Sequence, residues 1–312
     1  YDLFIIVDVG NYSLKYSLFG SENHMSPDDH YRDLLRIIST CAGKARRINV
    51  IMPFLYEGLQ IKKKSYLDES LDCAAVLKQL YSLGVSNLII FDPHDPRIDN
   101  AVPLMGIEKP QSAYKIISTL LSKFGSIKVN PESTMVISPD ETGVTKAVFY
   151  ASMLNLPLGI FYRDRDYSNM TNGEAPIKSY RFIGNDINGM DALIIDDMIN
   201  SGKTMMTTAN FLKERGARDI YCLAPFGLFT DGYKIFDEAY ESGLIKAVLC
   251  TNLIYRPQEL LEKPWYVDVN MIPFVARIID ALNVDESIGN LINSTSRMTD
   301  FLNHVRLEEV IE

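Results

Sequence analysis

Short apolar runs recur along the chain, and stretches with helical periodicity separate them. The runs have about the length of strands and lack strict alternation of apolar and polar positions, which is typical of strands covered on both faces. They predict eight strands, at 3–9, 48–52, 87–91, 134–137, 158–162, 192–195, 220–224 and 247–251.

Helical patterns of ordinary length fill the intervals. Ser26 followed by Pro27 predicts the start of the first helix, because Ser caps a helix well and Pro suits its first position. Five further helices are predicted at 69–83, 112–123, 143–154, 204–215 and 232–242. Strands and helices that alternate at this spacing predict an α/β fold with mainly parallel sheets and right-handed crossovers.

The length of 312 residues corresponds to about two domains of ordinary size. A polar segment at 126–133, which contains Pro131 and follows Gly125, predicts the boundary between domains 1–126 and 127–312.

Two further segments have a distinct composition. The stretch 164–178 is polar and contains Gly and Pro, which predicts a long mobile loop of a kind that is often functional. The last stretch, 293–312, is predicted to be an amphipathic helical extension. The apolar residues on one side of that helix are Met298, Phe301, Leu302 and Val305.

Composition and charge narrow the class of protein. Apolar residues make up 47% of the chain and the net charge is −9, which excludes a disordered chain and argues against a general nucleic-acid binder. No apolar run is long enough to span a membrane. The four cysteines stand far apart without a CxxC pair, which argues against structural zinc and favours a reduced, cytoplasmic setting.

The strongest chemical signal lies between 192 and 204. The predicted strand 192–195 ends in Asp196 and Asp197, and a short loop then leads into a helix. Backbone N–H groups at such a helix start bind phosphate well, and the two acids are placed to hold ribose hydroxyls or to lie near Mg²⁺. The loop residues are Asn200, Ser201, Gly202, Lys203 and Thr204.

The same stretch has two other interpretations. Gly202-Lys203-Thr204 resembles the end of a P-loop, but Asp197 stands where that motif needs its first Gly, so the P-loop interpretation fails. The plainer alternative is a capped strand-to-helix turn with incidental acids. The coincidence of an apolar strand, paired acids and a phosphate-type loop disfavours it.

The 192–204 stretch resembles the binding motif for phosphoribosyl pyrophosphate (PRPP) that type I phosphoribosyltransferases share with PRPP synthetases. The stretch 137–147, I-S-P-D-E-T-G-V-T-K-A, is similar to the synthetases' V-S-P-D-x-G-G-x-x-R-A, and 90–96 is similar to their D-L-H segment. Segments 216–220 and 251–254 also match in order. The chain therefore resembles the ribose-phosphate pyrophosphokinase family over most of its length.

This resemblance implies two tandem phosphoribosyltransferase-like domains, of which the C-terminal one carries the PRPP-type motif. Because the first predicted strand begins almost at the start of the given sequence and no Met precedes it, we expect that the N-terminal domain lacks its first strand here.

The resemblance also implies a reaction. The anomeric hydroxyl of ribose 5-phosphate attacks the β-phosphorus of Mg-ATP, a diphosphoryl group moves, and AMP leaves. It implies that the loop 200–204 holds the 5-phosphate and that Asp196 and Asp197 lie near the ribose hydroxyls.

The cofactor implied by the resemblance is Mg²⁺, contacted by His94 and Asp140. A hard cation prefers oxygen, so Asp140 is chemically the better ligand. The alternatives are that Asp140 caps the helix 143–154 and that His94 is an ordinary loop or core residue. The residues implied for ATP binding are Gln60, Lys62 and His94.

Arg163 and Arg165 stand where the family's mobile catalytic loop begins with K-R-R, and guanidinium groups suit phosphate oxygens. The alternative is a solvated run of charges. Asp164 replaces the second basic residue, and an acid beside transferring phosphates repels them. Leu59 replaces the leading Arg of the family's ATP-binding R-Q-D-R.

Three hypotheses follow. The first is a divergent Mg²⁺-dependent enzyme that makes PRPP, is cytoplasmic and forms homo-oligomers. The second is a catalytically weakened binding or regulatory subunit, motivated by Leu59 and Asp164. The third is a phosphoribosyltransferase that consumes PRPP, which the matches at 90–96 and 137–147 disfavour.

Overall fold

The computed structural model describes residues 1–41, 43–59, 69–165 and 177–311, without the side chains of 163–165, 177–180 and 303–311. The strands are β1 (Asp2–Ile6), β2 (Lys15–Leu18), β3 (Ser21–His24), β4 (Arg47–Ile51), β5 (Val85–Ile89), β6 (Gly106–Glu108), β7 (Thr134–Ser138), β8 (Leu158–Arg165), β9 (Ile177–Ile183), β10 (Asp191–Ile195), β11 (Met198–Ile199), β12 (Ile220–Ala224), β13 (Phe226–Gly227), β14 (Ala247–Thr251) and β15 (Tyr266–Val269). The helices are α1 (Pro27–Cys41), α2 (Asp72–Ser82), α3 (Ala113–Lys123), α4 (Val144–Leu154), α5 (Lys203–Glu214), α6 (Lys234–Glu241), α7 (Gln258–Leu261), α8 (Ile272–Asn283), α9 (Gly289–Ile292) and α10 (Ser294–Ile311).

The predicted α/β class is confirmed. Each of the eight predicted strands and six predicted helices is present, with ends within three residues of those expected. The start of α1 follows the expected chemistry. Ser26 Oγ accepts the N–H of Asp29 at 3.2 Å, and a carboxylate oxygen of Asp29 accepts the N–H of Ser26 at 2.8 Å. This reciprocal capping satisfies backbone groups that the first turn leaves without helical partners.

The chain divides into two compact units. The first comprises Tyr1–Ser112, Asn252–Pro257 and Asn270–Ser294. Its central sheet has the order β1-β4-β5-β6, and every pairing in it is parallel. Apolar residues of α1, α2 and the strands form its core. The hairpin of β2 and β3 forms a separate two-stranded sheet and was not predicted, because each strand has only four residues and contains no apolar run.

The second unit comprises Ala113–Thr251, Gln258–Val269 and Thr295–Glu312. Its seven-stranded sheet has the order β15-β14-β12-β10-β7-β8-β9, and only the β8–β9 pairing in it is antiparallel. From β7 the chain adds β8 on one side and β10 on the other. The edge between β7 and β10 is therefore the point where the winding reverses, which is where α/β sheets bind ligands.

The division between the units falls before α3, whereas the sequence placed a domain boundary after it, at 126. Helix α3 packs against β14 and β15 and so belongs with the second sheet. Two later segments of the chain return to the first unit, which polar composition alone does not reveal.

The predicted loop 164–178 is wrong at both of its ends. Asp164 and Arg165 continue β8, and Ile177 begins β9, which pairs with it. Ladder hydrogen bonds join backbone groups, so polar side chains do not prevent the pairing. Residues 166–176 lie outside the described residues.

The predicted C-terminal helix is present as α10. Met298 and Leu302 are buried, and the ring of Phe301 meets Tyr114 edge to face at 6.1 Å between centroids. These contacts fit core packing on one side of the helix. The side chain of Val305 lies outside the described part. Among the described helices, none combines the length and apolar character needed to cross a membrane.

Candidate active site

The candidate site lies where β7 and β10 end side by side. The two strands pair in parallel, with Ile194 opposite Ile137, so the loops that follow them leave the same edge of the sheet. Asp140 follows β7, and Asp196 follows β10. A Cβ on Gly143 would lie 3.2 Å from Ser138 Oγ and 3.7 Å from Asp196 Oδ1. The two loops therefore approach closely at the switch point of the sheet.

Asp140 organises the loop after β7. Its Oδ1 accepts the N–H of Thr142 at 2.9 Å, the Thr142 hydroxyl at 2.6 Å and the N–H of Gly143 at 3.1 Å. Helix α4 begins at Val144 with Gly143 as its N-cap, and no side chain caps it. Asp140 thus holds the turn ahead of the helix, which corrects the alternative that it is the N-cap residue itself.

Asp196 is a buried acid with an unusual proton affinity. Its Oδ1 accepts the N–H of Asp197 at 2.8 Å. Burial raises the pKa of Asp196 to about 7, and the nearby carboxylates of Asp140 and Asp197 add to this rise. The N–H of Asp197 and the cation of Lys146 oppose it. Near neutral pH the Asp196 carboxyl is therefore partly protonated, whereas an exposed aspartate is ionised.

Asp197 is held by a lysine that the sequence analysis did not single out. Lys146 Nζ lies 2.9 Å from Asp197 Oδ1, and the two side chains are 12% and 14% exposed. The sequence does contain a signal for this lysine, because Lys146 occupies the position of the basic Arg in the pattern V-S-P-D-x-G-G-x-x-R-A. Its partner, 51 positions further along the chain, was not evident from local sequence.

The loop before α5 has the conformation that an anion site needs. Gly202 is buried and has φ +79°, and α5 starts at the next residue. A Cβ on Gly202 would lie only 2.2 Å from the ring of Phe236. The carbonyl of Asn200 accepts the N–H of Thr230 at 3.1 Å, which anchors the loop. Backbone N–H groups at the start of this twelve-residue helix provide partial positive charge for a phosphate.

Lys203 points to the surface in this structure. Its Nζ lies 2.7 Å from a carboxylate oxygen of Asp231, and its side chain is 72% exposed. An exposed ion pair of this kind contributes little stability, so it presents a small barrier to a competing phosphate. Ser201 and Thr204 are half-buried at the start of α5.

The remaining predicted site residues lie in other segments of the chain. His94 is exposed in the turn after β5, in the first unit. Arg163 and Arg165 lie in β8, where their backbones pair with Tyr180 and Ile177, and their side chains lie outside the described part. Gln60 and Lys62 also fall outside it.

The acids of this site have oxygen atoms of the kind that bind Mg²⁺. Within the described residues, no group of three or more His, Cys, Asp or Glu side chains is arranged to hold a metal ion. Magnesium, however, is usually held by one or two carboxylates together with waters and substrate phosphates. Asp140 and Asp196 supply oxygen donors of that kind at one edge of the sheet, and they fit such a cation.

Comparison with known proteins agrees with this architecture. Residues 107–240 match the family described as phosphoribosyl transferase domain. A ribose-phosphate pyrophosphokinase from Staphylococcus aureus (strain Mu50) is 28% identical over 271 residues, which cover 85% of this chain and 78% of the relative. A putative ribose-phosphate pyrophosphokinase 2 from Streptococcus mutans is 26% identical, with coverage of 78% and 70%.

A solved structure gives the same fold over nearly the whole chain. The phosphoribosylpyrophosphate synthetase from Mycobacterium smegmatis has a TM-score of 0.72, with coverage of 91% of this chain and 99% of that one, at 18% identity. Fold and site thus define a protein of the phosphoribosyltransferase-fold class. Together the matches support the place of this chain in the ribose-phosphate pyrophosphokinase, or PRPP synthetase, family, with a divergent sequence.

Proposed function

We propose that this protein transfers a diphosphoryl group from Mg-ATP to ribose 5-phosphate and so forms PRPP and AMP. Relatives named ribose-phosphate pyrophosphokinase support PRPP synthesis, for nucleotide biosynthesis, in general terms. One observation supports the binding of the sugar phosphate on which this reaction depends. An acid pair and a phosphate-type loop follow β10 in immediate succession at the switch point of the sheet.

The roles follow from the chemistry of each group. The N–H groups and hydroxyls of 200–204 hold the 5-phosphate, and Asp196 and Asp197 accept hydrogen bonds from the sugar hydroxyls. The anomeric oxygen forms a bond to the β-phosphorus and releases its proton to solvent. The bond from that phosphorus to the oxygen that bridges it to the α-phosphorus breaks, and this oxygen leaves with AMP. Arg163 and Arg165 neutralise charge on the transferring phosphates.

Mg²⁺ and ATP complete the proposal. When bound, Mg²⁺ supplies positive charge to the transferring phosphates, and Asp140 and His94 are the residues that would hold it. Gln60, Lys62 and His94 are proposed to contact ATP. We further expect a cytoplasmic homo-oligomer, following the family resemblance.

A second candidate function rests on a specific observation. Leu59 is an exposed apolar side chain at the position where the family has the leading Arg of its ATP motif. With Asp164 in the catalytic loop, the chain has lost positive charge at two places that handle polyphosphate. This favours a subunit that binds ribose 5-phosphate or nucleotide and is weak in catalysis.

Formation of AMP separates the two candidates. Protein incubated with Mg²⁺, ATP and ribose 5-phosphate is expected to release AMP in proportion to PRPP, measured by chromatography. If ribose 5-phosphate binds but no AMP forms at any tested concentration of Mg²⁺ and phosphate, the binding subunit is the correct function. Base-dependent release of pyrophosphate from PRPP would support a phosphoribosyltransferase instead.

The double substitution Asp164→Arg with Leu59→Arg is expected to raise the rate of AMP formation about tenfold or more. A single favourable contact to charge that develops in a transition state is worth at least that factor. The matched control is Asp186→Arg with Leu104→Arg, which makes the same change of charge at two exposed positions. Equal rates for both double variants would show that the two departures do not limit activity.

A further inference from the structure

Lys146 occupies a position in α4 that is unfavourable for a cation. It is the third residue of the helix, where the aligned peptide dipoles place partial positive charge. A lysine at this position destabilises the helix unless a nearby anion compensates its charge. Asp197 is that anion, with its Oδ1 2.9 Å from Lys146 Nζ.

The pair is also withdrawn from water. The side chains of Lys146 and Asp197 are only 12% and 14% exposed, whereas those of the surface pair Lys15 and Glu22 are 43% and 62% exposed. A largely buried charge is stable only when it is paired, and removal of one partner strands the other. The geometry of Asp197 therefore depends on the lysine far more than a surface carboxylate depends on its partner.

The charges that surround the pair are unbalanced. Asp196 lies within the electrostatic influence of Asp140, Asp197 and Lys146. Three carboxyl groups thus share this corner of the second unit with the Lys146 cation. Loss of that cation would leave the acids to repel one another, so that the Asp197 side chain would turn away from its present position.

We propose that Lys146 is a positioning residue of the sugar site. Through its ion pair it keeps the Asp197 side chain oriented, so that the Asp197 carboxylate accepts hydrogen bonds from hydroxyls of ribose 5-phosphate. Lys146 itself does not contact the sugar in this assignment. The assignment rests on the proposed function, because that function supplies the ribose hydroxyls.

The test compares Lys146→Met and Lys146→Arg with the intact protein, using calorimetric titration with two probes. Ribose 5-phosphate reports on the sugar and phosphate contacts together, and inorganic phosphate reports on the phosphate loop alone. Lys146→Met is expected to weaken ribose 5-phosphate binding tenfold or more and to change phosphate binding less than threefold, because a hydrogen bond to a charged group is lost. Lys146→Arg is expected to restore most of the affinity.

Lys263→Met is the matched control. Lys263 also forms an ion pair at 2.9 Å, with Asp237, and its side chain is 21% exposed in the same unit. This variant is expected to lose a comparable amount of stability and to keep the affinity for ribose 5-phosphate.

The other outcomes contradict the proposed function or the role of Lys146. If the wild-type protein binds phosphate but not ribose 5-phosphate, the proposed function is wrong, and this assignment is wrong with it. If the wild-type protein and Lys146→Met bind ribose 5-phosphate equally well, the assignment of Lys146 is wrong and the proposed function is unaffected. Equal loss of affinity for both probes, or failure of Lys146→Arg to recover binding, shows that Lys146 is merely structural.

Discussion

Gly202→Ala is expected to lower the free energy of unfolding by about 2–4 kcal/mol and to abolish binding of ribose 5-phosphate. Two costs combine. A residue other than Gly at φ +79° costs about 1 kcal/mol, and an overpacked contact costs a further 1–3 kcal/mol. The overpacking arises because the new Cβ would lie 2.2 Å from the ring of Phe236.

The ring of Phe236 has little room to move away. It is fully buried, it stacks on Trp265 at 5.1 Å between centroids, and it meets Phe229 edge to face at the same distance. The strain is therefore expected to pass to the phosphate loop, whose N–H groups would turn away from the 5-phosphate. Urea titration gives the change in stability, and calorimetry gives the change in binding.

Gly232→Ala separates the two costs. Gly232 has the same φ of +79°, but a Cβ there meets nothing within 4 Å. We expect this variant to lose about 1 kcal/mol, for backbone strain alone. If Gly202→Ala and Gly232→Ala lose the same free energy, the contact with Phe236 does not constrain the loop.

Asp196→Asn is expected to make the protein more stable than the wild type at pH 8, by up to about 4 kcal/mol, while it weakens sugar binding. The pKa of Asp196 is raised from 3.8 to about 7 in the folded protein, chiefly by burial. An acid with a raised pKa costs stability once the unfolded chain ionises it and the folded chain does not. Asparagine does not ionise, so the variant avoids this cost.

The sign of the pH dependence follows from the two pKa values. Below about pH 4 the Asp196 carboxyl is protonated in both states and contributes no pH dependence. As the pH rises to about 7, the unfolded state releases the proton and the folded state retains it, so wild-type stability falls. Above about pH 7 both states are ionised and the deficit stays constant.

The measurement is urea unfolding of both proteins between pH 4 and pH 8. The difference in free energy between Asp196→Asn and the wild type is expected to widen across this range. Asp186→Asn, at an exposed aspartate, serves as the control, for which the difference is expected to stay flat. A difference for Asp196→Asn that also stays flat would show that the folded protein does not hold this proton.

Local patterns were enough to predict most of the elements. The apolar runs at 134–137 and 192–195 form buried strands, and Ser26 with Pro27 begins α1. Each of these features depends on neighbours in sequence. Strand β9 and the last three residues of β8 were missed because these segments are stabilised by pairing with each other and carry polar residues at the pairing ends.

The candidate site also combines features that local sequence predicts with features that depend on the fold. The acid pair and the phosphate-type loop are contiguous in sequence, so residues 192–204 alone were enough to predict a site for a phosphate and a sugar. The role of Asp140 was expected only through the resemblance. In the structure its Oδ1 accepts hydrogen bonds from the N–H groups of Thr142 and Gly143, in the loop that closes against the end of β10.

The sequence by itself determined the α/β class, the order of the eight predicted strands and of the predicted helices, and the loop that follows Asp196 and Asp197, because these depend on local periodicity and turn chemistry. Only the tertiary structure decided that β7 and β10 are neighbours, that Lys146 pairs with Asp197, and that Phe236 leaves no room at Gly202. The same holds for the raised pKa of Asp196. Each of these depends on burial or on contact between residues distant in sequence, which no local pattern encodes.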